Sequence, residues 1–275
     1  MISVVILTLN EETNLSSCLD SVRWCDDLVV FDSSSTDATV RIAKAAGARV
    51  FQRPFDNYAA QRNAALTEVD YKYEWVLMVD ADERWDRSLF EEISEAIRNK
   101  DQQVCLYHFR RKDFFRGKWL RRSTAYPTWF GRLVRLGRVW VEREINEEYH
   151  TDGKFGYLDG HFVHYPFNKG LTFWMERHNR YSSMEAARLV EETQESLKLS
   201  GLFSKNPVAR RKSLKQLAHR LPGRPLIVFL YLYIFRQGFL DGSPGLTYCL
   251  LRAIYEYMID LKVKELRRRE KGLAP

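Results

Sequence analysis

The residues best placed to do chemistry form one short run, Asp80-Ala81-Asp82-Glu83, closing the apolar stretch Trp75-Val76-Leu77-Met78-Val79. An apolar run of that length, bounded by polar residues, reads as a buried strand. Carboxylates at its carboxyl end then sit at the rim of a sheet, where open α/β sheets bind ligands. Asp80 and Asp82 are two apart, so a regular strand points them the same way. Paired carboxylates suit a hard divalent cation, Mg²⁺ or Mn²⁺, above all one shared with phosphate oxygens. Taken alone, the same residues also make an ordinary solvated turn, so the surrounding elements have to decide.

Those elements alternate. Ile2 to Leu9 is an apolar strand broken by Asn10-Glu11-Glu12, and Asn14 can cap a helix carrying Leu15, Cys18, Leu19 and Val22. Leu28 to Phe31 is a second strand, ending in Asp32-Ser33-Ser34-Ser35-Thr36-Asp37. A helix with Val40, Ile42, Ala43 and Ala46 inside stops at Gly47, and Ala48 to Phe51 is a third strand. Asn57 to Leu66 is a third helix containing Gln61-Arg62-Asn63, and a fourth helix, Ser88 to Arg98, follows the acidic run. Strands and helices alternating with short connections predict an α/β fold, a mostly parallel sheet with helices on both faces. Right-handed crossovers place the strands' carboxyl ends on one rim. Thr8, Asn10 and Glu11, then Asp32 and Ser34, then Asp80 and Asp82 therefore converge there. Neither GxGxxG nor GxxxxGK[ST] occurs, so the usual glycine phosphate cradles are missing. A nucleotide must be held otherwise, and a metal on the acidic strand end is the evident means.

After about residue 100 the pattern changes. Val104 to Phe109, Phe130 to Leu136 and Gly160 to Phe167 read as strands around an aromatic and basic region, Phe114 to Trp129. Arg132 and Arg135 read as a basic face of the middle strand. The segment from Glu142 to His150 is crowded with Glu142, Glu144, Glu147 and Glu148. His161 and His164 are three apart on a strand and so face opposite sides.

This set of motifs resembles the family 2 glycosyltransferases of the GT-A fold. The likeness rests on Val4 to Glu12, Asp32 to Asp37, Gln61-Arg62-Asn63 and Asp80 to Glu83, and covers roughly residues 1 to 170. Ile145-Asn146-Glu147, His164-Tyr165-Pro166 and His178-Asn179-Arg180-Tyr181 make it similar to the bacterial lipopolysaccharide-core glucosyltransferases and related surface-polysaccharide enzymes. The resemblance implies that Thr8, Asn10, Glu11 and Ser34 line a nucleoside pocket and that Asp32 bonds the base. It implies that Arg62 approaches the pyrophosphate, that Asp80 meets the ribose or metal, and that Asp82 ligates the metal. His164 is a further metal or phosphate contact, or a structural histidine. Glu147 is the implied general base, with Glu148 or Glu144 as fallback. Asn146 stands where many relatives have a histidine.

The chemistry agrees. A leaving diphosphate gains charge that a cation can neutralise. An acceptor hydroxyl must lose a proton to a positioned carboxylate. A sugar held for attack from the opposite face reacts with inversion. The expected substrates are a nucleotide-sugar donor, a UDP-hexose, and a lipopolysaccharide-core or lipid-linked saccharide acceptor. The alternatives are a catalytically silent nucleotide-sugar-binding module and a nucleotidyltransferase; the latter lacks its glycine- and lysine-rich first loop.

The 275 residues, 45% of them hydrophobic, are ample for a core. Cys18, Cys25, Cys105 and Cys249 fit no zinc or disulfide spacing and read as free thiols in a reducing compartment. The start of the chain lacks a basic n-region, arguing against a signal peptide. Net charge is +7, and it is uneven. Residues 205 to 275 hold 15 Lys/Arg and 5 Asp/Glu, a balance of +10, leaving −3 for residues 1 to 204. We therefore expect a catalytic domain over 1–204, with Leu171 to Leu199 as a trailing helix, and a basic, aromatic helical extension over 205–275. Its apolar run after Pro225 is too short to span a bilayer, and Gly242-Ser243-Pro244-Gly245 should separate it from a second helix, Leu246 to Leu266. Aromatic helices flanked by Lys/Arg suit the anionic, cytoplasmic face of a membrane; a homo-oligomer contact is the other use. Nucleic acid is disfavoured, because no recognisable binding module accompanies the charge.

Overall fold

The computed structural model describes residues 1–98, 103–142, 148–194 and 223–274. It divides into two compact units, Met1–Arg121 with Tyr126–Gly170, and Arg122–Ala125 with Leu171–Pro275.

The first unit is a mixed α/β domain. Strands β1 (Ser3–Thr8), β2 (Leu28–Asp32), β3 (Arg49–Gln52) and β4 (Trp75–Asp80) pair in parallel in the order β3-β2-β1-β4. Successive side chains of a strand point to opposite faces. Accordingly Val4, Ile6, Leu77 and Val79 enter one core with Leu15 and Leu19 of α1 (Glu12–Ser21) and Leu89 and Ile93 of α4 (Arg87–Arg98). Val5, Val76 and Met78 enter a second core with Ala64, Ala65 and Leu66 of α3 (Tyr58–Thr67). Burial on both faces is why these strands are continuous apolar runs and not alternating ones. The helix α2 (Thr39–Ala45) adds Ala43 to the first core.

Beyond β4 the sheet continues through β8 (Trp129–Arg135), β6 (Val104–Phe115), β11 (Lys154–His164) and the edge strand β5 (Glu83–Arg84). The strand β8 is antiparallel to both neighbours, and β6 and β11 are parallel. A short strand β7 (Lys118–Trp119) folds back on β6, and β9 (Val139–Glu142) with β10 (Glu148–Thr151) forms a separate ribbon. The expected antiparallel character of this half is therefore present. One register detail differs. Tyr107 pairs with Leu133 but His108 pairs with Gly131, leaving Arg132 as the extra residue of a bulge. A bulge re-aims its side chain. Arg132 and Arg135, three apart, do not share a basic face: Arg132 is buried, and Arg135 bonds Glu74 at the surface.

The second unit contains α5 (Gly170–Gln194), α6 (Arg224–Leu230), a π-helical turn Tyr231–Phe235, a 3-10 turn Gly238–Asp241 and α7 (Gly242–Glu270). Gly242 to Gly245 does not break the chain but forms the first turn of α7. Proline is tolerated there because that turn's N–H groups have no helical partner. A Cβ on Gly245 would lie 2.4 Å from the Gly238 carbonyl oxygen, so glycine permits the close approach. Asp241 accepts bonds from the backbone of Arg122 and Ser123, which draws that segment into this unit. Leu189 of α5 packs on Tyr255 and Ile259 of α7. That shared apolar contact groups α5 with the C-terminal helices, so the compact units part at Gly170 and not near residue 204. The basic stretch 205–221 lies outside the described residues. No helix among the described residues is long and apolar enough to cross a membrane.

Candidate active site

The rim begins where β1 and β2 end. Thr8 Oγ1 donates to Asp32 Oδ1 at 2.8 Å, and Ser35 N and Gln52 Nε2 donate to Asp32 Oδ2 at 2.8 and 3.3 Å. Asp32 is fully buried. It organises the loop after β2, and that loop is zipped to the one after β1: Asn10 N donates to Ser35 Oγ and Thr36 N to Asn10 Oδ1, both at 2.8 Å. Asn10 and Ser34 both take positive φ, at 55° and 62°, which presents two exposed residues side by side on this loop pair. Glu11 holds Asn14 Nδ2 and Lys169 Nζ, each at 2.9 Å. Burial raises the Glu11 carboxyl above its ordinary value against the pull of Asn14 and Lys169. The helix α1 starts at Glu12, two residues before the expected cap, so Asn14 braces Glu11 from inside the helix.

On α3 three consecutive side chains fan out, because neighbours on a helix point about 100° apart. Gln61 Nε2 donates to Ser33 Oγ at 2.9 Å, behind the Asp32 loop. Arg62 Nη2 donates to Asp80 Oδ1 at 2.8 Å. Asn63 exchanges two 2.8 Å bonds with the backbone of Val141 in β9. The motif thus pins three separate elements to one helix.

Asp80 has an arginine on each oxygen: Arg62 on Oδ1, and Arg132 Nη2 on Oδ2 at 2.7 Å. Burial works against its charge, but Arg132 and then Arg62 outweigh burial and hold the carboxyl well below the usual range. Arg132 also reaches Glu83 Oε1 at 2.6 Å. Glu83 is fully buried, and its Oε2 accepts from Trp85 Nε1. Burial pushes its carboxyl up, with Arg132 opposing. Glu83 is therefore a support for Arg132 and no candidate base.

Asp82 lies beside β11. Its Oδ2 is 3.3 Å from His164 Nε2, while His164 Nδ1 is 2.6 Å from Asp113 Oδ1. Burial alone would lower the imidazole pKa; the charge of Asp82 and the bond to Asp113 push it up to about 9. Tyr165 N donates to the Asp82 carbonyl at 2.9 Å, locking the two elements together. Among the described residues no group of three or more His, Cys, Asp or Glu could cage a metal. A cation that displaced the proton from Nε2 would find two convergent donors, Asp82 and the Asp113-oriented His164, and would complete its shell with phosphate oxygens.

Comparison with known proteins gives the family of the chain. Residues 3–160 match the model of the family described as "Glycosyl transferase family 2". The chain belongs to glycosyltransferase family 2. An uncharacterised glycosyltransferase of Rickettsia conorii is 38% identical over 99% of this chain and 93% of its own length. The lipopolysaccharide core biosynthesis glycosyltransferase LpsC of Rhizobium meliloti is 28% identical over 95% of this chain and 91% of its own. Glucosyl-3-phosphoglycerate synthase of Mycobacterium tuberculosis, solved with Mn²⁺, UDP and glucosyl-3-phosphoglycerate, matches 46% of this chain and 47% of its own at 27% identity, with a TM-score of 0.35. The protein is a glycosyltransferase of the nucleotide-sugar-using kind, on a mixed α/β sheet.

In this glycosyltransferase the structure gathers Thr8, Asn10, Glu11, Asp32, Ser34, Arg62, Asp80, Asp82 and His164 along one rim of the first unit. Glu147, Glu144 and Asn146 lie outside the described residues; Glu148 opens β10 and is exposed. His161 faces away from His164, toward Lys112 and Arg110, as the spacing required. Three members of the site carried no sequence signal strong enough to single them out: Arg132, Asp113 and Lys169. Arg132 depends on a bulge, and the other two on the pairing of distant segments.

Proposed function

We propose that this family 2 glycosyltransferase performs metal-dependent, inverting transfer of a hexose from a UDP-sugar to a lipopolysaccharide-core or lipid-linked saccharide. The observation that carries the proposal is the convergence of Asp82 and His164 beside the arginine-clamped Asp80, on the rim that also holds the Thr8–Asp32 loop pair. Asp82 and His164 would hold Mg²⁺ or Mn²⁺, and the cation would supply the charge that neutralises a departing diphosphate. Asp80 holds Arg62 and Arg132 in place with both its oxygens, so its first part is to position the rim, and what lone-pair capacity remains faces the ribose or the metal. Thr8, Asn10, Glu11 and Ser34 line the nucleoside pocket, and Asp32 orders it from beneath, a base amide exchanging with the long Gln52 bond. Arg62 stands toward the pyrophosphate side. Glu147 takes the proton of the acceptor hydroxyl as it attacks. The core acceptor is supported by the similarity to LpsC over almost the whole chain.

The second unit supports action at a membrane. Along α7, Leu246, Leu250, Ile254, Tyr257 and Leu261 recur every three or four residues and are exposed, while Cys249, Tyr255 and Ile259 on another stripe are buried. Phe235 is 78% exposed and Leu226 61%. An apolar face of that extent, next to Arg236 and Arg267-Arg268-Arg269, suits the interface of an anionic leaflet. Sedimentation with anionic liposomes tests this: the full chain should pellet, and binding indifferent to anionic lipid would remove the membrane part. Sedimentation velocity without lipid reads the competing use, a dimer contact.

For the donor site, thermal shift with UDP and UDP-sugars, each with and without Mn²⁺, is the test. Stabilisation requiring both nucleotide and metal is the expected result. Absence of any metal-dependent stabilisation would overturn the metal-assisted reading.

A further inference from the structure

The second half of the sheet has a cationic, aromatic face that the donor site does not use. Along β6, Asp113 turns toward His164, so Arg110, Lys112 and Phe114 turn the other way. Trp129 lies opposite Arg110 in β8, and Trp119 opposite Phe114 in β7. The side chains meet as the register requires. Lys112 Nζ is 4.5 Å from the centre of the Trp119 ring, and the Arg121 guanidinium is 5.5 Å from the same ring. The Arg110 guanidinium is 5.6 Å from the centre of Trp129.

Three cations share this face with little to neutralise them. Arg110 has one carboxylate, Asp159 at 3.6 Å, which is 95% exposed and therefore a weak partner. Among the described residues no carboxylate pairs with Lys112 or Arg121. Burial, reinforced by Arg110 and Arg121, lowers the Lys112 ammonium from its ordinary value. Two buried donors on the same face, Trp119 Nε1 and Arg110 Nε, have no hydrogen-bond partner. A buried donor left without a partner keeps its desolvation penalty, so two such donors beside like charges call for an explanation such as a missing ligand.

The face also leads to the catalytic rim. The Phe114 ring is 5.7 Å from Tyr165, whose N–H donates to the Asp82 carbonyl. A ligand lying over Trp119 and Phe114 would run toward Tyr165, the residue that follows His164.

We infer that this face is the acceptor subsite and that it takes a phosphorylated saccharide, with a sugar ring on Trp119 and its phosphate among Lys112, Arg121 and the orphaned N–H groups. The apolar face of a pyranose packs on an indole, and a phosphate presents three oxygens in different directions. That suits donors spread around one point better than a planar carboxylate would. The inference rests on the glycosyl-transfer reading and adds the charge of the acceptor to it.

The test titrates the full chain with deacylated bacterial lipopolysaccharide that retains its phosphates, with the same saccharide after chemical dephosphorylation, and with inorganic phosphate. Binding is read by calorimetry, and UDP with Mn²⁺ is titrated in parallel. The phosphorylated saccharide should bind about tenfold tighter than the dephosphorylated one, the scale of one charge-assisted hydrogen bond. The double variant Lys112→Gln/Arg121→Gln should lose that difference. Trp119→Phe, which keeps an aromatic ring and removes the N–H, should weaken binding of the phosphorylated form several-fold. Equal affinity for the two saccharides, or a discrimination untouched by both variants, overturns the subsite while UDP binding stands. Inorganic phosphate binding as tightly as the saccharide overturns the sugar half of the inference. Loss of UDP binding in the unaltered chain sinks the donor-site reading instead, so the two failures are separable.

Discussion

Arg132 reaches from the bulge of β8 to Asp80 at the end of β4, with Nη2 2.7 Å from Oδ2, and the same nitrogen lies 2.6 Å from Glu83 Oε1. Asp80 is in turn held by Arg62 from α3. Two arginines and two carboxylates therefore form one network under the acidic rim, buried except at Asp80, whose side chain is 32% exposed. Its charges balance, but each depends on the others, because a buried ion that loses its partner keeps its desolvation penalty.

Arg132→Met should therefore be costly, on the order of 3–5 kcal/mol, since it strands fully buried Glu83 and half of Asp80. Urea unfolding of the variant beside the parent measures it. A loss below about 1 kcal/mol would mean that the network is not what holds β4 to β8.

The two aspartates of the acidic run should separate cleanly. Asp80→Asn weakens both arginine contacts and should lower the melting temperature of the nucleotide-free protein. Asp82→Asn removes a proposed metal donor and should leave that temperature nearly unchanged while abolishing Mn²⁺-dependent stabilisation by UDP. Thermal shift on both variants reads the split, and the reverse pattern would exchange the roles.

Glu147→Gln should keep UDP-sugar binding and lose transfer by about 10²–10⁴-fold, the usual contribution of a positioned general base. A radiolabelled-sugar transfer assay run with donor titration checks it. An active variant would move the base to a neighbour, and Glu148→Gln is the next to measure.

His178 in α5 predicts a pH effect outside the active site. Its ring stacks on Trp174, its Nδ1 is 2.8 Å from the Trp174 carbonyl, and Tyr255 meets it edge-on. Burial lowers its pKa to about 4, so it is neutral in the fold. An unfolded chain takes up the proton first, near 6.5. Stability from this group is thus complete above about pH 6.5 and is lost as pH falls toward 4. With partial exposure discounted, roughly 1 kcal/mol should disappear between pH 7.5 and 5. The variant His178→Phe should flatten that part of the melting-temperature profile, and an unchanged slope would assign it elsewhere.

Much of the first unit was legible in the residues themselves. Four apolar runs, each closed by polar residues, announced four strands; their alternation with amphipathic stretches announced the parallel order and the shared rim. Those signals are local: a period of two or of about 3.6, a cap, a glycine stop. The likeness of Asp32 to Asp37, Gln61-Arg62-Asn63 and Asp80 to Glu83 to family 2 glycosyltransferases was equally a matter of short runs. The opposite facing of His161 and His164 followed from their spacing alone.

What the tertiary structure decided is of another kind. Arg132 is 52 residues from Asp80 in the chain, and one extra residue in β8 aims it. Asp113 orients His164 because β6 and β11 pair in that register, and α5 joins the C-terminal helices because its apolar stripe meets α7. The sequence by itself determined which segments are strands and helices and where acidic groups end them, since backbone sterics and the burial of apolar side chains act within a few residues. Only the fold decided which charges face one another, because ion pairs form between whatever residues the sheet register and packing bring within reach.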